Sequence, residues 1–190
     1  MIDVVFIDRD GVINKNLFGD YIKNWEEFKF LPGSLNSLKL LKANGIKVIV
    51  VSNQSGVAKG LMTLEQLENV NQKFLKAVRD YGGEIEAVYY CVHSPDDNCE
   101  CRKPKPGLFF KASKDFGIDL ERTYTVGDYI SDIEAGTSVG SKTILVRTGR
   151  GEETLLSRDK WNVEPDYIVS DLYEAVEIII KLKIKNNEQY

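Results

Sequence analysis

Asp8 and Asp10 stand two apart in Phe6-Ile-Asp-Arg-Asp-Gly-Val-Ile13, where an apolar run gives out and Gly11 allows a sharp turn. A lone pair of this kind can simply mark the end of a strand. Here Val126-Gly-Asp128 repeats the design, with Asp132 four residues later. Carboxylates converging at one sheet edge repel unless a cation neutralises them, and an all-oxygen ligand set suits Mg²⁺. A third segment, Val48-Ile-Val-Val-Ser-Asn-Gln-Ser-Gly56, brings hydroxyls, amides and a glycine turn whose backbone N–H groups could cradle phosphate oxygens. Arg102-Lys-Pro-Lys-Pro-Gly107 adds cations on a backbone stiffened by two prolines. A nucleophile, a metal site, donors and cations together fit phosphoryl transfer. An aspartate nucleophile needs no histidine.

The second constellation is Cys91, His93, Cys99 and Cys101, which hold every cysteine in the chain and its one histidine within eleven positions. Three sulfurs and an imidazole make a closed tetrahedral Zn²⁺ site with no open coordination position, which is a structural role. A disulfide is the competing reading, but three cysteines leave one unpaired and a reducing compartment disfavours it. Zinc would order the loop leading into Arg102 and Lys103. With His93 committed there, a Ser-His-Asp triad cannot be assembled.

Positioning these groups takes a parallel sheet. Short β-branched runs at Val4–Ile7, Lys47–Val51, Ala87–Tyr90, Thr123–Val126, Thr143–Val146 and Tyr167–Val169 alternate with segments of helical period. Helices are predicted over Ser34–Asn44, from the Thr63-Leu-Glu-Gln66 capping box to Gly82, and over Gly107–Phe116, Ser131–Val139 and Asp171–Lys185. The fold class is α/β, a Rossmann-like doubly wound parallel sheet. Asn14–Pro32 and Val92–Pro106 are long irregular segments after strand ends, where such sheets build ligand sites. The intervals from Asp10 to Ser52 and from Asn53 to Lys103 leave no room for a large cap domain, so the site should be open with these two loops as its rim.

The chain has 190 residues, 25 Lys+Arg against 29 Asp+Glu and a net charge of −4, a balance that argues against nucleic-acid wrapping. No apolar run is long enough for a membrane span, and the first residues do not read as a signal peptide. The expectation is a cytoplasmic monomer with one domain over 1–184, a zinc loop at 91–101 and a frayed tail over 185–190.

Asp8-Arg-Asp-Gly-Val-Ile-Asn14, Ser52-Asn-Gln-Ser-Gly56, Cys101-Arg-Lys-Pro-Lys-Pro-Gly107, Val126-Gly-Asp128 and Val146-Arg-Thr-Gly149 occur in that order. This resembles the haloacid dehalogenase superfamily, specifically its zinc-containing heptose-bisphosphate and histidinol-phosphate phosphatases. The resemblance implies that Asp8 is the nucleophile and Asp10 the general acid and then base. It implies Mg²⁺ on the Asp8 and Asp128 side chains and the Asp10 carbonyl, and Ser52 and Lys103 on the phosphoryl oxygens. Asn53 would orient Asp10 or substrate. Gln54, Ser55, Arg102 and the loop residues Asn16, Gly19 and Tyr21 would meet the rest of a small phosphorylated metabolite. The implied reaction removes the 7-phosphate of D-glycero-D-manno-heptose 1,7-bisphosphate. Histidinol phosphate is the alternative substrate, and a non-catalytic zinc-stabilised scaffold the alternative class. Tyr129 stands where the heptose enzymes are expected to carry a lysine.

Overall fold

The computed structural model describes residues 4–188, with side chains to residue 185. Six strands, β1 (Val4–Ile7), β2 (Lys47–Asn53), β3 (Ala87–Cys91), β4 (Tyr124–Gly127), β5 (Lys142–Val146) and β6 (Tyr167–Val169), form one parallel sheet in the order β3-β2-β1-β4-β5-β6. Val5 and Ile7 face one side and Val4 and Phe6 the other, as the two-residue period of a strand requires. Both faces are covered, which explains why the strands read as unbroken apolar runs.

The helices are α1 (Ser34–Ala43), α2 (Leu64–Asp80), α3 (Gly107–Phe116), α4 (Ile130–Ser138), α5 (Gly151–Leu156) and α6 (Leu172–Glu188). Leu38 and Leu41 of α1, Val70, Phe74 and Val78 of α2, and Ala175, Val176 and Ile179 of α6 pack on the Val5/Ile7 face. Leu108, Phe109 and Ala112 of α3 and Ala135 of α4 cover the other, where the rings of Phe6 and Phe109 meet at 4.8 Å. The expected capping box opens α2: Thr63 Oγ1 accepts from the Gln66 amide and the Gln66 side chain accepts from Thr63 N.

Several element ends shift by a residue or two, and three differences from expectation matter here. β2 runs on through Ser52 and Asn53, so these residues end a strand rather than open a turn. The short helix α5 lies in a segment with too few residues to show a period. α6 continues to Glu188, so residues 185–188 of the expected tail are helical; Gln189 and Tyr190 lie outside the described residues. No helix among the described residues is long and apolar enough to cross a membrane.

Chain order reverses between β1 and β4, where the connections leave the sheet in opposite directions and open a crevice at the strand ends. Asp8 follows β1, and Asp128 follows β4.

Candidate active site

Asp8, Asp128 and Asp132 each bring a carboxylate oxygen to within 4.8 Å of the other two. Asp132 sits in the first turn of α4, packed against Gly127, and accepts from the Tyr129 amide at 3.1 Å. Lys103 comes in from the opposite side. Its buried Nζ reaches Asp8 Oδ1 at 2.8 Å, Asp132 Oδ1 at 2.6 Å and the carbonyl of Val51 at 2.6 Å. The charges of Asp132 and Asp8 outweigh the effect of burial on Lys103 and hold its ammonium protonated.

Three carboxylates against one ammonium leave two negative charges, the complement of a divalent cation. Burial, with the charges of Asp132 and Asp10, pushes Asp8 up to about 6 even though Lys103 opposes it. Burial and the charges of Asp8 and Asp132 raise Asp128 likewise. Buried like charges of this kind disfavour each other's ionised form, and a cation relieves them. The donor set therefore fits a hard, oxygen-binding ion.

Asp10 is held apart from the cluster. Asp10 Oδ1 accepts from Asn14 Nδ2 at 2.8 Å, Asp10 Oδ2 accepts from Gln54 Nε2 at 2.6 Å, and the Arg9 guanidinium bonds both oxygens. Burial works to raise Asp10, but the Arg9 charge and these bonds prevail and keep it below the usual carboxylate range. Asn53 does not touch Asp10. It brackets the backbone of Lys103 instead, donating to the carbonyl and accepting from the amide, both at 3.1 Å. Strand parity gives the reason: Ser52 and Gln54 fall on one side of the extended chain, joined by a Gln54 Nε2 to Ser52 Oγ bond of 3.1 Å, and Asn53 falls on the other.

Gly11 and Gly149 wrap Asp128 so closely that a Cβ on either would overlap its Oδ2, and both have positive φ, +89° and +58°. The fixed carboxylate accepts from the Arg150 amide at 2.7 Å, while Thr148 Oγ1 ties the two loops by donating to the Gly11 carbonyl at 2.7 Å. Gly11→Ala should therefore displace Asp128 and lower turnover by about 10²-fold, the scale of a 1 Å misplacement at a reacting centre. Steady-state kinetics beside a melting curve would check this; a folded variant with wild-type turnover contradicts the fixed-carboxylate account.

The cluster opens into a cleft of about 370 Å³ lined by Asn16, Asp20 and Tyr21 of the first irregular segment, Arg102 of the second, and Ser55, Tyr129 and Arg150 beyond the ends of other strands. Tyr21 packs on Gly56, and its hydroxyl lies 2.8 Å from Ser55 Oγ and 3.2 Å from Lys59 Nζ. The Arg150 guanidinium lies on the Tyr129 ring at 3.9 Å. Gly19 lies in the same loop with open space around it. Gln54 is fully buried and bonds Asp10 and Ser52 rather than lining the cleft.

Beside the cleft, Cys91 Sγ lies 3.6 Å from Cys99 Sγ and 3.2 Å from Cys101 Sγ, and His93 Nδ1 lies 3.2 Å from Cys101 Sγ. These gaps are too wide for disulfides, and all three cysteines are free. Four donors on a tetrahedron with metal–sulfur bonds of about 2.3 Å are spaced at about 3.8 Å, so the set fits a tetrahedral ion after a small expansion.

A HAD-hydrolase-like family model matches residues 100–175. The D-glycero-beta-D-manno-heptose-1,7-bisphosphate 7-phosphatase of Pseudomonas putida is 41% identical over 169 residues, covering 89% of this chain and 94% of that protein. The chain belongs to this family of HAD-like phosphatases. The D-glycero-D-manno-heptose-1,7-bisphosphate 7-phosphatase of Chlorobaculum tepidum is 32% identical across 91% of this chain and 92% of its own. The D,D-heptose 1,7-bisphosphate phosphatase of B. bronchiseptica, solved with magnesium and phosphate, superposes with a TM-score of 0.88 at 33% identity, covering 94% of this chain and 98% of that one. A HAD-like phosphatase of this size thus keeps its chemistry on the bare sheet edge, with loops as its walls. Asp132 takes the place its spacing from Asp128 suggests, whereas Arg9 and Asn14, inside the Asp8–Asn14 motif, and Arg150 join the site with no role assigned to them from sequence.

Proposed function

We propose that this phosphatase removes the 7-phosphate of D-glycero-D-manno-heptose 1,7-bisphosphate through an aspartyl-phosphate on Asp8, acting as a monomer in the cytoplasm. The observation that carries the reading is Asp8 paired to Lys103 at 2.8 Å at the sheet's switch point, facing a cleft with arginines on its rim. An oxygen of Asp8 attacks phosphorus as the ester bond to the sugar breaks, and Asp10, ionised in the free protein, passes to the departing alkoxide a proton that it takes up from the incoming phosphate monoester. Asp10 then accepts a proton from the water that attacks the acyl phosphate, which restores Asp8 and releases inorganic phosphate. Lys103, with Ser52, steadies the phosphoryl oxygens.

Asp8, Asp128 and the Asp10 carbonyl would hold Mg²⁺, with Asp132 beside them. The ion supplies charge neutralisation between the carboxylates and an incoming phosphate dianion. Cys91, His93, Cys99 and Cys101 would hold Zn²⁺. The magnesium and phosphate in the solved B. bronchiseptica relative support the Mg²⁺ assignment.

Arg102 and Arg150 line the cleft, and Lys59 stands next to it against Tyr21. A second phosphate would find cations there, with Arg150 shared with Glu153, whereas the ammonium of histidinol phosphate would have Asp20, itself paired to Lys23, as its acidic partner in the lining's loop. The test is phosphate release from both anomers of heptose 1,7-bisphosphate and from histidinol phosphate, side by side with Mg²⁺. Turnover of a heptose anomer, with the 1-phosphate left on the product, is expected. Arg150→Ala should raise KM for the bisphosphate about tenfold, the effect of removing one exposed charge pair with some packing. Preference for histidinol phosphate would overturn the substrate assignment, and no hydrolysis of any ester would favour the scaffold reading.

Stability should depend on pH through Asp8. Its carboxyl binds a proton more tightly in the folded chain, at about 6, than the ordinary 3.8. The folded state therefore holds more protons between those values, and stability falls as pH rises through that window. Asp10 acts in the opposite sense: its depressed value gives stability above 3.8 that is lost as pH falls below it. In Mg²⁺-free buffer, the melting advantage of Asp8→Asn over wild type should widen between about pH 4.5 and pH 7. Parallel melting curves across that range would contradict the charge-repulsion account, and saturating Mg²⁺ should erase the difference.

A further inference from the structure

Arg9 stands between the two catalytic aspartates, and its side chain is fully buried. Its fork grips one carboxylate from one side: Nε donates to Asp10 Oδ1 at 3.2 Å, and Nη2 donates to Oδ1 at 3.0 Å and to Oδ2 at 2.8 Å. The guanidinium carbon lies 6.0 Å from the Phe28 ring centre and 5.9 Å from that of Tyr90. Phe28 belongs to an aromatic cluster with Trp25, Phe30 and Phe74. The Arg9 backbone is fixed too, because its carbonyl accepts from the amides of Ile13 at 2.9 Å and Asn14 at 3.1 Å. Arg9 Nη1 is buried with no hydrogen-bond partner. A buried guanidinium with a donor unmet is costly in a core that could have held an apolar side chain.

From this geometry we propose that Arg9 is a positioning residue: its planar fork, backed by the Phe28 and Tyr90 rings, fixes the rotamer of Asp10 so that the carboxylate's open side faces the leaving group. The inference rests on the reading of Asp10 as general acid and base. Asn14 anchors Oδ1 and Gln54 anchors Oδ2, each through one neutral amide; the Arg9 fork bonds both oxygens at once with charge-assisted bonds and so adds the strongest restraint on the carboxylate plane. Lysine offers the charge as a point and lacks the fork. Arg9 meets neither the carboxylate–lysine cluster nor the cleft, so it acts through Asp10 alone.

The test is a double-mutant cycle on the full-length, metal-loaded enzyme, read as kcat/KM for an alkyl phosphate (the heptose bisphosphate or a hexose 6-phosphate) and for p-nitrophenyl phosphate. The second substrate has a leaving group stable without a proton. Arg9→Met fills the space with an apolar chain, and Arg9→Lys keeps the charge, so two variants guard against a misfolded one. For the alkyl ester we expect Arg9→Met to cost about 10²-fold, within the span of general acid catalysis, and Arg9→Lys to recover little of it. For p-nitrophenyl phosphate the loss should be under about threefold, and adding Arg9→Met to Asp10→Asn should cost less than about threefold on either substrate. Equal losses on both substrates, or a full additional loss in the Asp10→Asn background, would overturn the proposal and make Arg9 a scaffold residue. Wild-type rates in Arg9→Met would also overturn it. If Asp10→Asn itself leaves alkyl-ester turnover intact, the reading of Asp10 is what has failed, and the proposal falls with it.

Discussion

Asp8→Asn is expected to abolish turnover, by about 10⁴-fold or more, as removal of a nucleophile does in other covalent enzymes. The amide has the same shape as the acid but cannot form and release an acyl phosphate. The backbone at this point is secured independently, since the Asp8 amide donates to the Val126 carbonyl at 3.0 Å and locks β1 to β4. Lys103 keeps its bonds to Asp132 and the Val51 carbonyl. The variant should consequently fold, bind inorganic phosphate and, without Mg²⁺, melt above wild type, because one of three crowded carboxylates has lost its charge. Phosphate release, phosphate binding and a melting curve on one preparation are the measurement. A well-folded variant with turnover within tenfold of wild type would place the nucleophile elsewhere.

Loss of the proposed zinc site at Cys91, His93, Cys99 and Cys101 is expected to cost almost as much, although these residues lie outside the cleft lining. Lys103 follows Cys101 by two residues, and its buried ammonium is the cation joining Asp8 to Asp132. Cys91 ends β3 in the core, and Cys99 and Cys101 pack against the cluster that contains Leu108 and Phe109. Five of the six pairs among the three sulfurs and His93 Nδ1 stand 3.2–3.8 Å apart, joined only by weak bonds. Burial pushes the Cys91 thiol up to about 12, so it becomes a thiolate only when a cation takes the proton's place. Cys101→Ser, or stripping by a zinc chelator, should lower kcat/KM by about 10²–10³-fold and the melting temperature by about 10 °C, since metal-binding energy here is folding energy. Metal content by mass spectrometry, with reloading of the stripped protein, completes the experiment. Full activity in zinc-free protein would mean that the Asn53 bracket holds the Lys103 loop unaided.

The parts of the site visible in sequence were those built from scarce residue types or from a change of pattern. Every cysteine and the one histidine fall into one short loop, and a carboxylate after a buried apolar run stands out wherever it occurs. The sheet was legible because strands covered on both faces lose their alternation, and only the short α5 gave no period to read. What stayed hidden was partnership. Nothing in the spacing says that Arg9 turns back onto its neighbour, or that Asn14 donates to the residue four before it. The contact with Asp10 expected of Asn53 falls to Gln54 for a simpler reason. Ending β2 at Val51 rather than Asn53 discards the parity that sends residues 52 and 54 one way and 53 the other.

The order of the strands also governs how the site comes into being. Asp8 lies at one end of the chain, yet its partners Lys103, Asp128 and Asp132 arrive from the second half, and the loop of Gly11 is tied to Thr148 across 137 positions. Loop closure over such separations is slow compared with helix formation or with pairing of neighbouring strands. A chain emerging from the ribosome can build β1, β2 and β3 with their helices and still lack Lys103, Asp128 and Asp132. Catalytic competence is therefore a late property of the folding chain, and a truncated or half-folded copy holds its aspartates without being able to use them.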